Sequence, residues 1–194
     1  MKKLITIALL VVFSVSLSAQ ELPFRIGLKL GVPNLAGLGV EYMINDKIGV
    51  DFDGSYFSLS VDDQTELSYT YLAGGASYYF NKNGEGLFGG LSFGRMSFGI
   101  TQSDIMSDYD YTLTGGEADF SIGVMVFGAK VGYRWIWGAF SLTPEIGYAM
   151  ASIDDEVEME VTFPDGTTET QKYETGDIPI GGGATGALTI GFAF

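Results

Sequence analysis

Leu188-Thr189-Ile190-Gly191-Phe192-Ala193-Phe194 closes the chain, and its alternation governs how everything before it is read. Successive side chains of a β-strand point to opposite faces. Leu188, Ile190, Phe192 and Phe194 therefore share one apolar face, while Thr189, Gly191 and Ala193 put small or polar groups on the other. A strand with a greasy side and a small-residue side fits a sheet closed into a ring with its apolar face outward. Closure is required because an open edge in an apolar medium leaves backbone groups unpaired.

The same period of two runs back through the sequence. Near the other end Phe24, Ile26, Leu28, Leu30 and Val32 alternate with Arg25, Gly27, Lys29 and Gly31. A soluble sandwich would bury the apolar face against a second sheet. A membrane barrel turns it to lipid and fills its interior with polar and small residues. Eight strands are predicted, near residues 24–33, 36–44, 47–60, 67–80, 86–100, 120–135, 138–151 and 180–194. Asn45-Asp46-Lys47, residues 81–86 and Ile136-Trp137-Gly138 read as tight turns. Residues 61–66, 101–119 and 152–179 are longer and polar, and Pro33-Asn34-Leu35 is a short exception among them. Alternating short and long connections is the asymmetry of an outer-membrane barrel, periplasm against exterior. The predicted fold is all-β: an eight-stranded antiparallel up-and-down transmembrane β-barrel with short periplasmic turns and longer acidic outer loops.

At the start of the chain Lys2 and Lys3 precede an apolar run from Leu4 to Val15, followed by Ser16, Ser18, Ala19 and Gln20. This predicts a secretory signal over residues 1–19, cleaved after Ala19 or alternatively after Ser18, and a barrel domain over residues 20–194. The run is too short to cross a bilayer as a helix, which takes about 20 residues. The 194 residues include 28 Gly and no Cys. An exported domain of this composition is held by something other than disulfides, and a closed barrel pairs all its backbone groups between neighbouring strands. Without the signal's two lysines, 8 basic residues remain against 24 acidic ones. Such a chain is unsuited to nucleic acid, whose phosphates require a basic surface.

Aromatic residues collect at the predicted periplasmic ends: Phe24, Tyr78, Phe80, Trp135, Trp137, Phe140, Phe192 and Phe194. Tyr56, Tyr69, Tyr71 and Phe98 are assigned to an outer belt, rings at both interfaces being characteristic of membrane barrels. With these belts and the terminal Leu188-x-Ile190-x-Phe192-x-Phe194, the mature chain resembles the small eight-stranded outer-membrane β-barrels. That group includes the transmembrane domain of outer membrane protein A and adhesin-like barrels. The resemblance implies residence in the cell outer membrane of a Gram-negative-type bacterium, in contact with its lipid and lipopolysaccharide. It also implies that the strand carrying Leu188, Ile190, Phe192 and Phe194 acts as the signal read by the barrel-assembly machinery.

Projected onto a barrel, the alternation places Arg25, Lys29, Glu41, Asp51, Asp53, Lys130, Arg134 and Glu145 on the inner face, four charges of each sign. A hairpin centred near residue 35 would bring Lys29 to Glu41, and one centred near residue 46 would set Glu41 opposite Asp51. Two adjacent carboxylates repel, so Arg25 and Lys29 are expected beside them. Eight strands leave a lumen that side chains can fill. The balanced set therefore reads as a plug, with a narrow ion path as the alternative, since rings of charge also select ions.

Two motif matches fail on context. Gly181-Gly182-Gly183-Ala184-Thr185-Gly186 fits G-x-G-x-x-G, but no helix and no acidic residue follow. Gly90-Leu91-Ser92-Phe93-Gly94 fits the G-x-S-x-G elbow, yet the chain contains no His to complete a triad. A Ser–Lys pair using Lys130 would be the remaining nucleophilic arrangement. Asp51-Phe52-Asp53-Gly54 lacks the further oxygen ligands of a calcium loop, and strand alternation explains the pair. No catalytic residue, cofactor or resident metal site is predicted.

Of the 24 acidic residues, 17 fall in the long loops: Asp62, Asp63 and Glu66; Asp104, Asp108, Asp110, Glu117 and Asp119; and nine between Asp154 and Asp177. They read as a solvated face, or as carboxylates for divalent cations that bridge to lipopolysaccharide. Residues 154–174 alternate Val157, Met159, Val161 and Phe163 with acids ahead of the turn Pro164-Asp165-Gly166-Thr167, which predicts a protruding hairpin able to receive a protein partner at its edge. The expected function is a non-enzymatic barrel with an envelope-structural or surface-interaction role. A narrow ion or small-solute channel and a soluble exported eight-stranded carrier are the alternatives.

Overall fold

The computed structural model describes residues 23–105, 116–163, 166–174 and 178–194. The predicted signal and its cleavage site lie outside the described residues, as do Asp108, Asp110, Pro164, Asp165 and Asp177. Among the described residues nine strands form: β1 (Phe24–Val32), β2 (Leu35–Asn45), β3 (Ile48–Ser60), β4 (Thr65–Tyr79), β5 (Gly86–Ile105), β6 (Gly116–Trp137), β7 (Phe140–Thr162), β8 (Thr168–Glu174) and β9 (Ile178–Ala193). Every pairing is antiparallel. Neighbours in sequence pair from β1 to β7, β9 pairs with both β7 and β1, and the result is a closed ring of eight strands.

The ninth strand, β8, stays outside the ring and pairs only with the upper part of β7, from Glu156↔Glu174 to Thr162↔Thr168. This is the hairpin expected over residues 154–174. Its turn is closed by Phe163 N–H to Thr167 O at 2.8 Å and Gly166 N–H to Phe163 O at 2.9 Å. Residues 101–105 and 116–119, expected in a loop, instead continue β5 and β6, with Thr101 opposite Asp119 and Ser103 opposite Glu117. Ser, Thr and Gly there resemble loop composition, but each still has a cross-strand partner.

At the short-turn end the connections are 46–47, a 3-10 turn at Lys82–Gly84, and Gly138–Ala139. The other end is uneven. The β1–β2 connection is only Pro33-Asn34, while β5, β6 and β7 stand 20, 22 and 23 residues long. One side of the ring is therefore low and the opposite side is a tall wall.

Outward-facing side chains form an apolar girdle. On β1 they are Phe24 to Val32 in steps of two, on β3 Ile48, Val50, Phe52, Gly54 and Tyr56, and on β6 Phe127, Ala129, Val131, Tyr133 and Trp135. Rings pack along its lower rim: Tyr133 on Trp135 at 4.8 Å, Phe140 on Phe192 at 5.6 Å and Phe24 on Phe194 at 5.5 Å between centroids. The core lies inside the ring and is largely polar.

Candidate functional site: a two-tier charged lumen

Strand alternation carries all eight charges anticipated from sequence to the inner face, where they sort by chemistry into two tiers. The lower tier holds the arginines. Glu41 accepts from Arg134 Nη1 at 2.5 Å, Arg25 Nη1 at 3.3 Å and the Tyr79 hydroxyl at 2.6 Å. Arg134 Nε donates to Thr143 Oγ1 at 3.0 Å, and its guanidinium lies 4.8 Å from the Tyr79 ring centroid. Arginine suits this position because its flat, weakly hydrated head can serve a carboxylate and an aromatic face together.

The 3-10 turn closes the tier from below. Arg25 Nη2 donates to Asn83 O at 2.8 Å. Gly84, at φ +64°, is buried beneath it, and a Cβ there would stand 2.6 Å from Arg25 Nη1 and 2.9 Å from Met43 Cε. Only glycine fits both the left-handed backbone and the space.

The upper tier holds the lysines. Lys29 Nζ lies 2.7 Å from Asp53 Oδ2 and 2.7 Å from Glu145 Oε1. Lys130 Nζ reaches Asp51 Oδ2 at 3.1 Å and Glu145 Oε2 at 3.9 Å, and Ser77 donates to Asp51 at 3.3 Å. The lower tier has one cation in excess and the upper one anion, so the lumen is neutral as a whole. Cavities of about 40 and 50 Å³ remain beside the tiers, each with room for a water or two.

The predicted contact between Lys29 and Glu41 does not form. The first hairpin is centred on residue 33, which sets Glu41 opposite Arg25 and Lys29 opposite Gly37. The physical reason is the tightness of the connection: β2 begins at Leu35, leaving only Pro33-Asn34 between the strands. Glu41 does lie opposite Asp51, but the two carboxylates are drawn to different tiers by different cations. Tyr69 and Tyr71, assigned to an outer belt, point into the ring and are buried, and Phe98, paired with Tyr69, shares their face. They have the parity of Ala73, Ser77 and Tyr79, whereas the outward residues of β4 are Leu72 and Tyr78. Tyr56 faces outward.

Alternation alone does not single out Tyr79, Thr143 or Ser77: Thr143 lies two residues from the inner Glu145, but β4 carries no inner charge from which Ser77 and Tyr79 can be counted. Above the lysines the Tyr69 hydroxyl donates to Pro33 O, drawing the β1–β2 turn over the lumen. Asn34 is 1 % exposed there, with neither side-chain amide atom partnered among the described residues.

The rejected motifs lie in strands. Residues 181–186 belong to β9, and Ser92 belongs to β5 beside a Lys130 already held by Asp51 and Glu145. The terminal residues Leu188, Ile190 and Phe192 face outward, and Phe194 N–H donates to Phe24 O at 2.9 Å, fastening the last residue to the first strand.

A family model described as a protein of unknown function, DUF3575, matches residues 5–174. No curated protein sequence matches the chain. Among solved structures, the N-terminal β-barrel domain of Pseudomonas aeruginosa OprF is similar at 19 % identity and a TM-score of 0.45, covering 90 % of this chain and 98 % of that one. Acinetobacter baumannii CarO is similar at 12 % identity and a TM-score of 0.43, covering 89 % and 98 %. Acinetobacter baumannii CarO2 is similar at 11 % and 0.40, covering 90 % and 100 %.

Proposed function

We propose that this chain, which belongs to the DUF3575 family of proteins of unknown function, is an outer-membrane β-barrel without catalytic activity that serves envelope structure or surface interaction through its acidic outer hairpins. The observation that carries this reading is the polarity of the ring: apolar outside, charged inside. On β1 and β3 the outward apolar run covers residues 24–32 and 48–56, which matches the roughly 9–11 tilted residues a strand needs to cross a bilayer. A soluble carrier would have the reverse polarity at this level.

The ion-paired tiers favour a closed lumen over a channel. What remains for function is the long-hairpin end, with Asp62, Asp63, Glu66, Asp119, Glu160 and Glu169 at its surface. Among the described residues these carboxylates form no chelating cluster, but an acidic face can still gather divalent cations loosely and through them meet lipopolysaccharide phosphates. The edge of β8 away from β7 has no strand on it among the described residues, and such an edge can accept a strand of a partner protein. Delivery to the membrane by the barrel-assembly machinery is part of this reading, with Leu188, Ile190, Phe192 and Phe194 as its signal.

The test is excision of residues 156–173 with a short flexible link. The shortened chain is expected to remain a heat-modifiable barrel while losing calcium-dependent adhesion to lipopolysaccharide-coated surfaces. Unchanged adhesion would remove the hairpin from the reading, and failure to fold would make it structural.

A further inference from the structure

Above the girdle the tall wall reverses its polarity. On β5 the outward residues run Leu87, Gly89, Leu91 and Phe93, then Arg95, Ser97, Gly99 and Thr101; on β6 they run from Phe127 and Met125 to Gly123, Ser121 and Asp119. The inward residues change in the opposite sense. Below are Lys130, Ser92 and Ser77; above are Phe57, Leu59, Leu67, Phe98, Ile100 and Phe120, which strand pairing places side by side on the inner face. These six are 37 to 52 % exposed: Phe57 52 %, Leu59 50 %, Leu67 38 %, Phe98 47 %, Ile100 46 % and Phe120 37 %. Polar out and apolar in is the pattern of a soluble carrier, and here it stands on top of a barrel of the other pattern.

The concave apolar face has a floor and a rim. Its floor is the β1–β2 turn drawn in by Tyr69, whose ring packs on Phe98 at 5.2 Å between centroids. Its rim is acidic: Asp62 and Asp63 stand at the β3–β4 connection, and Glu169 shares the inner face of β8 beside Val161, whereas Glu66 takes a hydrogen bond from Ser58 on the outer face. Asp62 accepts backbone N–H bonds from Gln64 at 2.9 Å and Thr65 at 2.6 Å, which hold its carboxyl below the usual range and keep it ionised. Aromatic faces beneath a ring of carboxylates attract an organic cation twice, through the ring quadrupole and through the rim charge.

We propose that this cup is a binding site for cationic amphiphiles, small molecules with an apolar body and an ammonium or guanidinium head. The apolar body lies on Phe57, Phe98 and Phe120, and the head meets Asp62, Asp63 and, across the mouth, Glu169. An anionic amphiphile of equal length is repelled by the same rim. The inference rests on the membrane reading for the direction in which the cup faces, outward from the cell.

The mature chain in phosphatidylcholine nanodiscs, labelled with [methyl-13C]methionine, tests it. Met96 packs against Tyr69 and Tyr71 below the cup, while Met43 lies in the core at the short-turn end and serves as control. Hexyltrimethylammonium is expected to shift the Met96 signal saturably and leave Met43 unmoved, with at least tenfold higher affinity than hexanesulfonate or tetramethylammonium. Phe98→Ser with Phe120→Ser should weaken the hexyl cation at least tenfold, and D62N with D63N and E169Q should erase its advantage over the sulfonate. Heat-modifiable mobility is read on each sample. A chain that gives no barrel in lipid would overturn the membrane reading itself. A folded barrel that takes the sulfonate as well as the ammonium, or is indifferent to the Phe substitutions, would overturn the cup alone.

Discussion

Glu41→Gln removes the only carboxylate of the lower tier while keeping its shape. Two guanidiniums would then share a closed compartment with no counter-charge, and arginine does not shed its proton to escape. Glu41 is 7 % exposed and accepts from Arg25, Arg134 and Tyr79, and a water in the cavity beside it would bring no charge to replace the carboxylate. Breaking a buried ion pair from one side costs about 3–5 kcal/mol. The amide oxygen can still accept from Tyr79, which argues for the lower half of that range. With a urea dependence of ~2 kcal/mol per molar, the unfolding midpoint should fall by about 1.5–2 M. Trp135 and Trp137 are the chain's two tryptophans and both face outward, so their fluorescence reports departure from lipid when vesicle-embedded protein is titrated with urea. A midpoint shift below about 0.5 M would refute the claim that Glu41 neutralises the tier.

Lys29→Met should leave Asp53 and Glu145, rather than Glu41, short of a partner, and lower stability by about 3 kcal/mol at pH 7 in the same titration, less at a pH where the carboxyls protonate. An unchanged midpoint would remove Lys29 from the network. Deleting Phe194 removes a backbone bond and a ring contact to Phe24; the heat-modifiable fraction in the outer membrane should drop, and an equal yield would count against an assembly role for the last strand. Wild-type protein should give no sustained conductance in planar bilayers, and discrete reproducible openings would contradict a closed lumen.

Which residues face inward was legible because charge reports the face directly: an Arg25 or Glu145 on a strand of alternate Leu and Ile has one sensible side. Register was not legible. A shift of two in the hairpin centre at Pro33-Asn34 moved the partner of Glu41 from Lys29 to Arg25, and nothing in the alternation distinguishes those centres. Residue type misled where parity would not have. As aromatics Tyr69 and Tyr71 read as an interfacial belt, yet their even spacing from Ser77 marks the inner face. The extended β5 and β6 were hidden for a related reason: Ser97, Gly99 and Thr101 resemble a loop until the reversed alternation with Phe98 and Ile100 is noticed.

The central claim is a membrane-spanning girdle beneath a wall of reversed polarity, and the absence of native Cys makes it directly measurable. Single cysteines at Leu28, Phe52, Leu91 and Val131 test the girdle, and at Ser58, Ser97 and Ser121 the wall above it. On intact cells a membrane-impermeant maleimide is predicted to label the three serine positions and to spare the four girdle positions until detergent strips the lipid. Equal labelling of both sets on intact cells would contradict the account.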